Sequence, residues 1–340
     1  MRKAHNMRQP HSSVLLFIIA LAGCGSKPPA AVGPRPLSFP LEKTAARMER
    51  GNYLVNSVVA CLDCHSEIQW KQPDAPPKPG MSGGGQVFPL EGLPGKVVAS
   101  NISSDKETGA GNWSDEDFYK AMTQGIGKDG RTLFPLMPYM HLRELSDEDL
   151  ASIIVYIRSI PPVHNALPKT ELIEPVKQSL KPLPPKTPGA PAPDLADPVK
   201  LGAYLANAAG CGDCHTPSNP QGMPLAGMDF AGGFVLKGPW GAAAAANLTP
   251  DPSGIPYYDE AMFLETMRTG KVKGARKLNA IMPVRFYRNM TEPDLRALYA
   301  WVRTLKPVSH RVDNTEKATP CKLCGQRHGL GGMNRAAPKG

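Results

Sequence analysis

The chain has 340 residues, a formal charge of +9 at neutral pH, 41% hydrophobic and 6% aromatic side chains, and 37 prolines. That length accommodates two domains of ordinary size, and so much proline with so few aromatics points to small, loop-rich units. Three basic residues fall in the first eight positions and the last thirty hold six basic against two acidic side chains, so the body is near neutral and no nucleic-acid partner is expected.

Arg2, Lys3 and Arg8 precede an apolar run from Val14 to Ala22. The run is too short to span a bilayer but suits the core of a signal peptide. It ends in Leu21-Ala22-Gly23-Cys24, which resembles a bacterial lipoprotein box. The resemblance implies that residues 1–23 are removed and that Cys24 is lipidated, anchoring an exported protein on the periplasmic side of a bacterial membrane, inner or outer. Residues 24–43, rich in Pro and Gly, read as a flexible tether.

The first unit covers residues 44–165. Gly51-Asn52-Tyr53-Leu54 leads into Cys61-Leu62-Asp63-Cys64-His65, and C-x-x-C-H is the attachment signature of a c-type haem. Two thiols at this spacing can each form a thioether to one edge of a porphyrin, and the adjacent histidine then falls under the iron. Downstream, Trp113-Ser114-Asp115-Glu116 opens a helix ending at Gly125, followed by Met137-Pro138-Tyr139. Ser146 supplies an N-cap oxygen with Asp149 three positions on, and Leu150, Ile153, Ile154 and Ile157 then form one apolar helix face. Arg158 and Pro161-Pro162 close that helix.

Eleven of residues 161–200 are proline, so residues 166–197 are expected to be an extended, semi-stiff linker. Leu172, Ile173, Val176 and Leu180 are available there to pack on a domain.

The second unit, residues 198–310, repeats the first. Asp197-Pro198 gives a cap and a first-turn proline. Gly202-Ala203-Tyr204-Leu205 precedes Cys211-Gly212-Asp213-Cys214-His215; Asn247-Leu248-Thr249 matches Asn101-Ile102-Ser103; and Tyr257-Tyr258-Asp259-Glu260 opens a helix ending at Gly270. Met282-Pro283 lies nine positions before Thr291, as Met137 does before Ser146. Leu295, Leu298, Tyr299 and Val302 repeat the apolar face. Two C-x-x-C pairs could instead hold one zinc ion or form redox disulfides, but neither explains a histidine after each second cysteine.

Residues 311–340 read as a basic, disordered tail. The tail contains Cys321-Lys322-Leu323-Cys324-Gly325, where glycine stands in place of the ligating histidine, so a third haem is not expected. A disulfide is its plain reading in an oxidising compartment, and a weak metal site with His328 the less favoured one.

Several segments carry a family resemblance: Ala99-Ser100-Asn101-Ile102, Trp113 to Glu116, Gly125 to Gly130, Phe134 to Tyr139, and Leu145 to Leu150 running on to Val163. Through them the chain resembles the class I c-type cytochrome domain, and in detail the haem subunits of periplasmic alcohol, aldehyde, gluconate or sorbitol-type dehydrogenases. The resemblance covers most of residues 44–165 and, with more divergence, 198–310. It implies an all-α fold of two tandem cytochrome c domains joined by the proline-rich linker, with two covalently bound haem c groups on Cys61 and Cys64 and on Cys211 and Cys214. His65 with Met137, and His215 with Met282, become the axial iron ligands; a neutral thioether favours reduced iron and raises the potential.

Met140 and Met290 compete for the sixth position but have no counterpart in the other copy. His141, His164 and His310 read as bystanders. Trp113 and Arg131 carry donors suited to haem carboxylates, and equally to packing and surface roles. The implied protein is an electron carrier with no catalytic residues, taking electrons from a periplasmic dehydrogenase and passing them to a respiratory acceptor. The alternatives are a dihaem peroxidase-like oxidoreductase, which needs a displaceable sixth ligand, and a non-catalytic partner that only positions a dehydrogenase.

Overall fold

Capping side chains set the helix starts in both halves of the computed structural model, which describes residues 37–88, 95–187, 194, 196–219, 222–274 and 276–335. The leader and the expected lipidation site, Cys24, lie outside the described residues. In the first half Thr44 Oγ1 accepts the Arg47 amide and starts α1, Ala45–Tyr53. One π-helical turn, Leu54–Val58, follows. The chain then passes through left-handed Ala60 into α2, Cys61–Cys64. A short hairpin pairs β1, Gln86–Val87, with β2, Val98–Ala99. Ser114 and Asp117 form a capping box at α3, Asp115–Gln124. After the Met137 loop come α4, Tyr139–Leu142, and α5, Asp147–Ile157, the latter capped by Ser146. The four positions of the expected apolar face of α5 are all buried.

The connector carries α6, Glu174–Ser179. The second half then repeats the plan. Asp197 caps α7, Pro198–Ala208, and left-handed Gly210 leads into α8, Cys211–His215. Hairpin β3, Val235–Gly238, with β4, Gly241–Ala244, precedes α9, Glu260–Thr269. A small hairpin of β5, Lys271–Val272, and β6, Arg276–Lys277, leads to the Met282 loop. There follow α10, Val284–Tyr287, and α11, Glu292–Val302. The fold is helix-rich with a few short strands, and among the described residues no helix is long and apolar enough to cross a membrane.

In each half the first and last helices cross at a glycine. A Cβ at Gly51 would meet Ser152 O at 2.0 Å, and one at Gly202 would meet Ala297 O at 2.1 Å. Only a bare Cα lets the backbones approach so closely. The crossing holds α1 on α5 and α7 on α11, and one hydrophobic core runs through both halves.

Two expectations need correction. Residues 166–187 of the linker do not stand free; they form a strap along the first half. Glu171 and Lys96 exchange backbone hydrogen bonds, Thr170 Oγ1 accepts the Val98 amide at 3.1 Å, and Leu183 N donates to Gln124 O at 2.9 Å. Lys186 Nζ then reaches Asp147 Oδ1 at 2.9 Å, with side chains only 5% and 8% exposed. Proline removes helix but leaves carbonyls and side chains free to bind a neighbouring surface.

The tail is the second correction. Residues 311–335 fold as a clasp around a hairpin of β7, Ala318–Pro320, and β8, Arg327–Gly329. Arg311, Lys317, Lys322, Arg327 and Arg335 are all exposed while Cys321, Cys324 and His328 are buried. A count of charges could not show that the cationic side chains stay in solvent while the thiols and His328 are enclosed. The expected disulfide is not formed, since both thiols are free.

Candidate functional site

Ala60 and Gly210 turn each haem-binding motif out of its helix with φ of 53° and 63°. For Ala60 the left-handed region costs on the order of 1 kcal/mol. The turn delivers Cys61, Cys64 and His65 to the wall of a cavity of about 1010 Å³, and Met137 lines the same cavity. Trp113 and Arg131 line it too. Leu172, Lys177 and Leu180 of the strap close one side, so two of the four apolar connector residues do pack on the first half.

The histidines are held alike. His65 Nδ1–H donates to Ser100 O at 2.7 Å and His215 Nδ1–H donates to Ala246 O at 2.7 Å. Fixing the proton on Nδ1 leaves the Nε2 lone pair free to bind a metal and sets the ring orientation. Burial pushes both imidazoles below their ordinary pKa, so they are neutral and ready to ligate. Burial also pushes the Cys61 and Cys211 thiols up to about 12. Redox C-x-x-C pairs work through depressed thiol pKa values, so the disulfide-exchange reading loses its chemistry.

The methionine loops match in backbone detail. Met137 N donates to Phe134 O at 3.1 Å and Met282 N to Asn279 O at 3.0 Å. Pro138 and Pro283 follow with nearly equal dihedral angles, φ −81°, ψ 47° and φ −78°, ψ 49°. Met282 and Cys211 are both partly buried against the core. Asn279 Nδ2 donates to Trp240 O at 3.1 Å, and the buried indole Nε1 of Trp240 has no hydrogen-bond partner among the described residues. An unpaired buried donor beside the Met282 loop fits a cofactor carboxylate. Of the competing methionines, Met140 is 58% exposed and Met290 is core at 1%.

Contacts between the halves were not foreseen from the motifs. The Tyr53 hydroxyl bonds Asp294 and accepts the Thr291 amide at 3.0 Å. Reciprocally, Tyr204 Oη donates to Asp149 Oδ2 at 2.6 Å and accepts the Ser146 amide at 3.1 Å. Arg285 pairs with Asp63 inside the first haem motif, and His141 Nε2 meets Asp213 inside the second at 2.7 Å. His141 thus has a partner that the bystander reading lacked, while His164 stays exposed beside Asp105 and Glu107. Tyr287 is buried beside the second motif, its hydroxyl donating to Ala209 O at 2.9 Å. The two motifs therefore meet at one interface. The recurrence of Tyr53 and Tyr204 in the repeat was the available signal.

No protein-family model matches the chain. It is 29% identical over 308 residues to the cytochrome c subunit of alcohol dehydrogenase (quinone) of Gluconobacter oxydans, covering 84% of this chain and 61% of that protein. It is 30% identical over 270 residues to the fructose dehydrogenase cytochrome subunit of Gluconobacter japonicus, covering 76% and 52%. A diheme cytochrome c-type protein of Cereibacter sphaeroides is 28% identical over 224 residues, covering 63% and 73%. The chain is thus a relative of cytochrome c subunits of dehydrogenases and of a diheme cytochrome. It spans 61% and 52% of the length of the two dehydrogenase subunits.

Proposed function

We propose that the protein is a membrane-anchored dihaem c-type cytochrome that carries electrons from a periplasmic dehydrogenase to a respiratory acceptor. The observation that carries this reading is the convergence of Cys61, Cys64, His65 and Met137 on one cavity, in a half whose helices, turns and histidine support recur in the second. Cys61 and Cys64, and Cys211 and Cys214, hold the haems covalently; His65 with Met137 and His215 with Met282 ligate iron. When bound, the haems supply a one-electron ferrous–ferric couple.

The remaining work is done by the chain. The Ser100 and Ala246 carbonyls orient the imidazoles. The Met137 and Met282 thioethers favour the reduced state. Residues 166–187 exclude water from the first cavity. The pairs Asp63–Arg285 and Asp213–His141 hold the two motifs side by side, which shortens the path for transfer within the molecule. Acyl chains on Cys24 keep the carrier at the membrane surface.

Protein matured in a haem-attaching host should keep its colour through acid–acetone extraction, contain two haems per chain, and show a methionine-to-iron charge-transfer band. A periplasmic dehydrogenase with its substrate should reduce it, and peroxide should not be turned over. Colourless protein, or a high-spin haem that reduces peroxide, overturns the reading.

A further inference from the structure

We propose that His310, Cys321, Cys324 and His328 form a structural zinc(II) site that fastens the C-terminal clasp to the loop behind His215. All four side chains are buried, at 0%, 3%, 6% and 2% exposure, and their ligand atoms lie within 4.8 Å of one another. His310 Nε2 is 3.3 Å from Cys321 Sγ, and His328 Nε2 is 3.5 Å from Cys324 Sγ. A tetrahedral zinc site with two sulfur and two nitrogen ligands has S···N edges of about 3.6 Å, so these two pairs already sit close to the ligand–ligand separation of such a site.

The surroundings prepare each atom for a metal. His310 Nδ1–H donates to Ala231 O at 2.9 Å and His328 Nδ1–H to Gly329 O at 3.0 Å, which leaves each Nε2 lone pair turned toward a sulfur. Asn334 Nδ2 donates to Cys321 Sγ at 3.3 Å, its orientation fixed because Asn334 Oδ1 accepts the Arg311 amide at 2.9 Å. The turn carrying both cysteines is closed by Gly325 N donating to Cys321 O at 3.0 Å. A Cys321–Cys324 disulfide would consume both sulfurs and leave two buried imidazole lone pairs without partners, an arrangement folded proteins avoid. A donor set of two sulfurs and two imidazole nitrogens favours zinc over oxygen-seeking cations.

The site has a task in the second half. His310 holds Ala231 O, and the next residue, Gly232, donates its amide to His215 O at 2.6 Å. Asn314 pairs with both Ala244 N and Ala244 O at 2.8 Å, two residues before the carbonyl that orients His215. The clasp therefore grips both backbone segments that support the proximal histidine. Asn165 does the first part of this work in the other half, donating to Gly84 O at 2.9 Å beside Gly85, whose amide binds His65 O at 2.9 Å.

The test is metal analysis of the full, haem-loaded chain after chelator washing, normalised to protein rather than to haem. One zinc per chain is expected, and zinc-edge X-ray absorption should give two sulfurs near ~2.3 Å and two nitrogens near ~2.0 Å. The Cys321→Ser, Cys324→Ser double variant should lose that zinc and keep its haem. Zinc-free wild-type protein with a Cys321–Cys324 disulfide by mass spectrometry overturns the proposal, as do an iron in place of the zinc, sulfur-free zinc coordination, or zinc retained by the double variant. If the variant does not accumulate, the wild-type absorption spectrum decides alone. Because the ratio is taken per chain, a failure of the dihaem reading leaves this result interpretable.

Discussion

The two halves share a plan up to their closing helices and part company after them. Beyond Val163 the first half continues as a strap over the outside of its own cavity; beyond Val308 the second continues as a folded clasp behind its proximal loop. Up to that point even the polar detail agrees. Asn101 Nδ2 donates to Val163 O at 2.7 Å and Asn247 Nδ2 to Val308 O at 2.8 Å. Asn165 and His310 then occupy matching places, one ending in an amide and the other in a ring that can also ligate a metal. The repeat preserves what holds a haem-binding motif in place, and divergence collects where the chain leaves it.

Three experiments bear on this comparison. The largest effect is expected for Lys186→Ala, which removes the buried pin of the strap from Asp147. It should cost about 3 kcal/mol in denaturant unfolding. It should also lower the potential of the first haem alone, since solvent access favours the charged ferric form. A two-step redox titration checks this; equal shifts in both steps would break the distinction between strap and clasp.

A smaller difference is expected between the reciprocal tyrosines. Asp149 is buried and also binds Arg50 at 2.7 Å, whereas Asp294 is only half-buried. Tyr204→Phe should therefore cost about 2 kcal/mol and Tyr53→Phe about 1 kcal/mol, since hydrogen bonds to charged groups weaken with exposure. Unfolding of the two single variants measures it, and a reversed order would show that the interface is not graded by burial.

The smallest effect is pH-linked. Hydrogen bonding to Asp213 raises the His141 pKa above its ordinary value, opposed by burial and helped by Asn207. Asn207 Nδ2 donates to His141 O at 3.1 Å, so its Oδ1 faces His141 Nδ1 at 2.8 Å and both ring nitrogens act as donors in the charged ring. The pair's contribution is complete below the ordinary histidine pKa and fades as pH rises through the raised folded value. For a partly exposed pair this amounts to a Tm lower by on the order of 1–2 °C on the alkaline side. His141→Gln should flatten that slope; an unchanged slope would assign it to another group.

The motifs and helix starts around the candidate haem sites were legible because they are local. A C-x-x-C-H motif needs five adjacent residues, a capping box needs four, and an apolar helix face shows within eleven; each is complete inside a window that a reader of sequence can see. Position in the repeat singled out Met137 and Met282 from fourteen methionines by the same means. The short hairpins were not legible, since strands of two to four residues offer almost no periodicity to detect. Nor were Arg285 beside Asp63 or His141 beside Asp213, which unite residues 222 and 72 positions apart.

By itself the sequence determined two repeated C-x-x-C-H units, their helices and the candidate ligands in each, because these follow from short-range covalent spacing and hydrogen bonding. Tertiary structure alone decided that the halves share one core, that a proline-rich connector is a strap, and that a basic tail folds around two cysteines and two histidines. Composition records which charges and thiols a segment carries. Which side of the folded chain each one faces depends on long-range packing, and that is where the connector and the tail acquired their roles.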